Sequence, residues 1–334
     1  MKWYEKIDDS SPIISCRLRL ARNLKKYPFL CKLERDQAKE MIENVKEAIL
    51  PRSSNFTFTS IPEKTRVERS KLLEHHKISL DVARTSRPCA LISSVDDHIH
   101  ILLNEEDHIR IQSIAPGRDI ESVYKMANYT DDLIEETLEY AFHENYGYLT
   151  SCPSNTGTGM RASFMLHLPL LEEQKSRMEE LTRSLASLGM TVRGIHGENS
   201  SSQGSIFQVS NQITLGKPEE ELLKSLEKTV DQLVQAELDL IESKLEDDKS
   251  EFEDTIYRAY GTLKYAKKIS LTEARKLLST LRMGIISGIF TEEIKTPIYK
   301  IMMNIDFGSL RTNFADMDYL DIEPSRAVYI RENL

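Results

Sequence analysis

Two runs near position 100 constrain the fold most. In His98-Ile99-His100-Ile101-Leu102-Leu103, residues Ile99, Ile101 and Leu103 share one face of an extended chain. In His108-Ile109-Arg110-Ile111-Gln112, the isoleucines share one face, and His108, Arg110 and Gln112 share the other. Between them lie four polar residues, Asn104-Glu105-Glu106-Asp107, so the pair reads as an antiparallel hairpin with carboxylates at its turn and Arg110 on its polar face. Further short strands are expected at 90–94, 190–195 and 205–210. Helices are expected at 34–50 (stopped by Pro51), over most of 119–146, and at 170–188, where Gly189 takes a C′ position. The expected class is α+β: an antiparallel sheet flanked by helices.

The character changes after Gly216. Pro218 suits a helix start, and Leu222, Leu226, Val230, Leu233 and Leu240 keep helical spacing through a charged segment. Helix continues to about Met303, with Gly261 and Gly284 as weak points, and the acidic run at 246–251 reads as a solvated loop. The expected organisation is a catalytic domain at 1–216 and a smaller all-helical domain at 217–334.

A net charge of −9 argues against direct nucleic-acid binding as the main task. The first residues carry no apolar secretory core, and no run is long enough to span a membrane. Cys16, Cys31, Cys89 and Cys152 lie far apart with no C-x-x-C, which fits a reducing cytoplasm.

The densest chemistry lies in Ser151-Cys152-Pro153-Ser154-Asn155-Thr156-Gly157-Thr158-Gly159-Met160-Arg161. Here the glycines are expected to let backbone N–H groups approach a ligand, beside a thiol and a guanidinium. Arg17 and Arg19, spaced i,i+2, share one face of an extended segment, and Arg193 opens Arg193-Gly194-Ile195-His196-Gly197-Glu198. Any one of these arginines has a plain alternative as a surface ion pair. Five in strand-edge or glycine-rich settings (Arg17, Arg19, Arg110, Arg161 and Arg193) suggest a polyphosphate clamp. Neither G-x-x-x-x-G-K-[ST] nor a paired H-R-D and D-F-G occurs, so a P-loop or a Ser/Thr/Tyr-type kinase is not supported. Glu106 and Glu198 add two acids able to grip a cationic acceptor and take its proton.

Together these motifs resemble the phosphagen (guanidino) kinases, and within them the bacterial protein-arginine kinases. The match runs through Ser15-Cys16-Arg17-Leu18-Arg19, Asn104 to Arg110, Cys152 to Thr158 and Arg193 to Glu198, then Phe207 to Gly216. The resemblance implies ATP as phosphoryl donor with Mg²⁺ bridging its phosphates, and no protein-held metal. Nucleotide contacts are implied for Ser15, Cys16, Arg17, Leu18 and Arg19, for His76 (with His75 as adjacent rival), and for Arg110. They are also implied for Arg161, Ala162, Ser163, Phe164 and Met165, and for Arg193, Gly194, Ile195, His196, Gly197 and Glu198. Glu106 and Glu198 would bind and deprotonate the acceptor guanidinium. Cys152 would sit beside it, as a thiolate if the arginines lower its pKa.

Small-molecule members carry a helical domain before the first arginine motif, whereas here that motif begins at Ser15. The expected acceptor is therefore arginine displayed on a protein. A catalytically weak nucleotide- or client-binding adaptor and a kinase of a free guanidino metabolite are the alternatives. The resemblance also implies a homodimer, a zinc-finger-like activator, a stress-regulon repressor as substrate and a Clp-type protease that reads the mark. Two departures stand out. The family's C-terminal R-D-x-x-R-A motif is Ile322-Glu323-Pro324-Ser325-Arg326-Ala327 here, so phosphoarginine-dependent activation is expected to be weak or absent. Glu198 is followed by Asn199 rather than glycine, which suggests a less mobile loop.

Overall fold

The computed structural model describes residues 1–52, 54–194, 204–314 and 321–334. In chain order the strands are β1 (Ile13–Arg22), β2 (Phe56–Ser60), β3 (Ala90–Ser94), β4 (Ile99–Leu103), β5 (Ile109–Pro116), β6 (Phe142–His143), β7 (Gly147–Tyr148), β8 (Met160–His167), β9 (Met190–Gly194) and β10 (Ile206–Asn211). The helices are α1 (Arg35–Ile49), α2 (Arg66–Glu74), α3 (Leu80–Arg84), α4 (Ile120–Glu135), α5 (Pro169–Glu173), α6 (Lys175–Ser187), α7 (Glu219–Asp247), α8 (Lys249–Tyr265), α9 (Leu271–Ile286), α10 (Ile298–Asn304), α11 (Phe307–Asn313) and α12 (Ile322–Asn333).

Eight strands form one antiparallel sheet in the order β2-β3-β4-β5-β1-β8-β10-β9. Period-two alternation splits its faces. Cys16, Leu18, Leu20, Ile109, Ile111, Phe164, Leu166 and Val209 enter one core, together with the buried stripes of α1 and α4 and the first half of α7. The opposite face carries polar residues over most of its area. At one end Ile114, Met165 and Ile206 join a second core, built from Trp3, Tyr4, Ile7 and the C-terminal helices.

The expected hairpin is β4–β5, in register from Ile99 opposite Ser113 to Leu103 opposite Ile109. Three expectations change. The helix expected over 119–146 ends at Glu135, and 142–148 forms the small β6–β7 hairpin. The helix expected at 170–188 breaks at Gln174, whose ψ of 69° leaves the helical region. The acidic run at 246–251 is a helix junction rather than a loop. Asp248 alone leaves helical geometry, and its carboxylate accepts from Glu251 N at 3.2 Å, capping α8.

α7 begins just past the expected domain boundary. Leu222, Leu226, Val230 and Leu233 pack into the sheet core, and Ile241 packs into the second core. Between them Glu237 is buried, and its carboxylate accepts from Leu170 N and Leu171 N at 2.9 Å each. The chain's first residues are stitched to the C-terminal helices. Buried Arg282 donates from Nε to Asp9 at 3.1 Å and from Nη2 to Ser11 O at 2.6 Å, while Asp9 also accepts from Ile298 N at 2.6 Å. No described helix is long and apolar enough to cross a membrane.

Candidate active site

Strand register brings the arginines together. Arg17 lies between Ile114 on β5 and Ser163 on β8, and Arg19 between Gln112 and Arg161. Arg110 sits opposite Ala21, two residues along the same face. Arg193 sits opposite Gln208, which is itself opposite Met165. Because side chains alternate strictly, these pairings put all five guanidinium-bearing positions on the face away from the sheet core.

Several of these arginines are already held. Arg17 donates from Nη2 to Gln208 Oε1 at 2.7 Å. Arg161 donates to Ser210 Oγ from Nε at 3.3 Å and from Nη2 at 3.2 Å. Arg110 is paired with Glu105. Crowding has an electrostatic cost. Burial, then Arg110 and Arg161, push the Arg17 guanidinium down to about 10. Arg19 is driven well below its usual value, by burial first and then by Arg17, Arg110 and Arg161. A cluster of cations that disfavours its own charge is built to receive an anion.

Gln208 and Ser210, named in the sequence only as part of the family-matching run and given no role there, orient the arginines. The signal was their period-two placement in Phe207-Gln208-Val209-Ser210, which puts both on the polar face. The other side of each strand accounts for the remaining residues of the expected nucleotide segments. Cys16, Leu18, Ala162 and Phe164 have side chains buried in the sheet core, so only their backbone is available to a ligand on the arginine face. Burial pushes the Cys16 thiol up to about 12. Ser15, Ser163 and Met165 point to the arginine face, where Met165 joins the second core. Gly194 ends β9. Ile195, His196, Gly197 and Glu198 lie outside the described residues, as does Asn199.

The acidic turn and the thiol loop form one unit. Asp107 Oδ1 accepts from Asn23 Nδ2 at 2.6 Å and from Ser151 N at 2.7 Å, tying the β4–β5 turn to β1 and to the loop before Cys152. Asn104 takes a left-handed φ of 59° at the start of the turn. His108 is a neutral strut: Leu24 N donates to its Nδ1 at 3.0 Å, and its Nε2 lies 2.9 Å from Pro28 O. Within this frame the Cys152 thiol neighbours the Glu106 carboxylate and favours its charged form, and its Sγ lies 3.0 Å from Ser154 Oγ. Burial, then Asp107 and Glu105, raise the Glu106 pKa; Arg110 and the Cys152 thiol oppose them. Glu106 and Arg161 also act on each other electrostatically, which puts the acid beside the clamp.

The glycines of the loop serve the protein's own backbone rather than a ligand. A Cβ on Gly157 would lie 2.2 Å from Thr214 O, and one on Gly159 would lie 2.6 Å from Ala21 O. Thr214 fastens the loop further, donating to Ser154 O at 2.9 Å and to Thr156 O at 2.7 Å. Behind the loop, buried Arg22 pairs with Asp131 at 2.7 Å and stacks 3.5 Å from the Tyr148 ring centroid. It is a structural arginine in the same motif as Arg17 and Arg19.

The two adjacent histidines separate. His75 is packed edge-on to Tyr4 and lies 3.3 Å from Ser309 Oγ. His76, with φ of 56°, turns into a cavity of about 630 Å³ beside the arginine face.

An arginine-lined sheet face flanked by a carboxylate–thiol pair defines a phosphoryl-transfer class, and comparison with known proteins agrees. The chain belongs to the ATP:guanido phosphotransferase family, whose C-terminal catalytic domain matches residues 37–240. Residues 249–334 match the protein-arginine kinase McsB C-terminal domain. A protein-arginine kinase of Clostridium kluyveri is 40% identical over 326 residues, covering 96% of this chain and 94% of that one. Another, of Bacillus cereus, is 42% identical over 284 residues, covering 84% and 80%. The fold is similar to that of lombricine kinase (TM-score 0.62, 24% identity, 74% of this chain and 71% of that one). It is also similar to a duplicated taurocyamine kinase from Schistosoma mansoni (TM-score 0.63, 24% identity, 74% and 37%).

Proposed function

We propose that this protein transfers the γ-phosphoryl group of ATP to the guanidinium of arginine residues in proteins. The observation that carries the reading is the convergence of Arg17, Arg19, Arg110, Arg161 and Arg193 on one sheet face, next to the Glu106–Cys152 pair. Membership of a family whose relatives are protein-arginine kinases supports the acceptor.

In this reading the arginines hold the phosphates and neutralise charge on the transferred group. Mg²⁺ would come with ATP and would supply further neutralisation of phosphate charge beside the arginines. Among the described residues no group of three His, Cys, Asp or Glu side chains is placed to hold a metal. Glu106 grips the acceptor guanidinium from one side, with Cys152 beside it, and Glu198 supplies the second acid. The bond from the γ-phosphorus to the ADP oxygen breaks as a P–N bond forms, and the proton leaving the guanidinium nitrogen passes to a carboxylate. The finer expectations (a homodimer, a zinc-finger-like activator, a repressor substrate and a Clp-type protease reading the mark) rest on family membership alone.

The C-terminal motif supports a further part of the proposal. Arg326, its retained arginine, is buried and donates to Ile305 O and Ile269 O at 2.9 Å each. Glu323 pairs with Lys268 at 3.2 Å. With Ile322 in place of the first arginine and Arg326 already committed, this helix is a brace between C-terminal elements. Activation by phosphoarginine is expected to be weak.

The test is incubation with ATP, Mg²⁺ and an unfolded basic protein, read by mass spectrometry under non-acidic conditions. Acid-labile phosphoarginine is expected, well above a Glu198→Ala control and well above the rate on free arginine. No label above that control would count against the assignment, and a faster rate on free arginine would move the acceptor to a small metabolite.

A further inference from the structure

The β6–β7 hairpin holds two large rings in solvent beside the thiol loop. Phe142 is 58% exposed and Tyr146 56%, and neither enters an apolar core. We propose that this hairpin is a docking surface for the protein substrate, binding an extended, positively charged segment that flanks the acceptor arginine. This rests on the reading of the site as that of a protein-arginine kinase.

Position comes first. The hairpin is built into the loop that carries Cys152. Tyr148 N donates to Gly157 O at 2.8 Å, and Gly157 N to Tyr148 O at 3.3 Å, so these two residues close the loop between them. No side chain separates hairpin from loop: a Cβ on Gly147 would lie 2.3 Å from Gly157 O. A polypeptide arginine at Glu106, beside Cys152, therefore has its neighbours in sequence within reach of the hairpin, whereas free arginine has none.

The rings are also fixed in place. Phe142 stands edge-on to Tyr148 with centroids 5.3 Å apart, and Tyr148 edge-on to buried Tyr140 at 5.9 Å. His143 and Tyr146 lie 4.8 Å apart. Ordered rings lose little freedom when a ligand covers them, and exposed apolar groups held this way mark interaction sites.

Charge sets the kind of segment. Residues 129–148 carry six Asp or Glu and no Lys or Arg. Asp132, Glu135 and Glu144 are exposed. After burial, Arg22 and Asp131, the groups acting on the Tyr148 hydroxyl are Glu135 and Glu219, which places both acids near the hairpin. Carboxylates and ring faces both attract Lys and Arg. The rings also take apolar side chains that a folded protein mostly buries. An extended basic segment satisfies both demands, and a nucleic acid satisfies neither.

Steady-state phosphorylation by the full chain tests this, with an unfolded basic protein and free arginine as alternative acceptors. A Phe142→Ser, Tyr146→Ser double variant should raise KM for the protein at least about tenfold and leave kcat unchanged, the mark of lost uniform binding. ADP affinity by calorimetry and the rate on free arginine should stay within about twofold of wild type. A Glu135→Gln, Glu144→Gln double variant should raise the same KM about threefold and flatten its increase with salt. Tyr265→Ser, which removes a ring 72% exposed on α8, should change nothing. Protein KM within about twofold of wild type in both double variants would overturn the inference alone. So would an equal loss on protein and free arginine, or an equal effect of Tyr265→Ser. A hairpin variant that lost self-association with its protein KM unchanged would assign the rings to contacts between copies of this chain, and would also overturn it. Failure of the wild type to label any arginine would bring down the kinase reading itself.

Discussion

Arg19 and Arg161 stand directly opposite each other on β1 and β8, two guanidiniums at one cross-strand position. Like charges so placed destabilise a sheet by roughly 0.2–1 kcal/mol, and Arg17 and Arg110 add to the repulsion. This face is thus less stable than its sequence could have made it, and in the proposed function a bound polyphosphate would relieve the cost.

Arg161→Gln should separate stability from activity. The nucleotide-free variant is expected to melt about 1–3 °C higher than wild type. Its turnover should fall at least about 100-fold, since a charge-stabilising donor is lost. Calorimetry of the empty protein and an ATP-turnover assay read the two effects. A variant that melts lower would show that the pair is structural.

Glu106 should set the acid limb of the rate profile. Its pKa is raised, so the charged form is lost on acidification at a pH above the ordinary glutamate value. The neighbouring Cys152 thiol favours the charged form. Cys152→Ala is therefore expected to move the limb to higher pH, while Cys152→Ser, which keeps a donor, moves it little. Glu106→Gln should lower kcat at least about 100-fold.

Three histidines should make the fold acid-sensitive. Burial, then Lys77, push His75 down to about 4 and His100 down to about 3; burial and Arg282 hold His167 well below its ordinary value. All three are neutral in the fold and protonate in the unfolded chain near 6.5. Their stabilisation is present above pH 6.5 and is lost as pH falls through the folded values. A fall in melting temperature of roughly 5 °C or more is expected between pH 7 and 5. A His75→Gln, His100→Gln double variant should show a shallower slope over the same window.

Gly308 should matter for the nucleotide although it carries no side chain. A Cβ there would lie 2.6 Å from Lys71 N, so α11 reaches α2 only because position 308 is glycine. That contact, with Glu74 capping α11, holds the turn bearing His76. Gly308→Val should weaken ADP by about tenfold and lower stability by about 1–3 kcal/mol, seen by calorimetry and denaturant titration.

Much of this was legible in the chain. Period-two runs put Arg110 on the polar side of β5, and i,i+2 spacing put Arg17 and Arg19 on one side of β1. These are local consequences of backbone alternation. The extended helix expected at 119–146 was misjudged because the 142–148 hairpin depends on a partner. Tyr148 pairs with Gly157, and Arg22 stacks on the Tyr148 ring from another strand. The glycines of the thiol loop were read as room for a ligand, but the backbones they admit, at Thr214 and Ala21, are far away in sequence.

The sequence by itself determined the chemical inventory and the face each residue takes within its own strand, because side-chain alternation is set by neighbouring dihedrals. Only the tertiary structure decided that β1 lies between β5 and β8 in the register that opposes Arg19 to Arg161. A one-residue slip would send Arg17 and Arg19 into the core. Tertiary packing alone also set the C-terminal helices against His76 and Ile206. That docking comes from burying a second apolar core across more than two hundred residues of chain, and no local pattern encodes it.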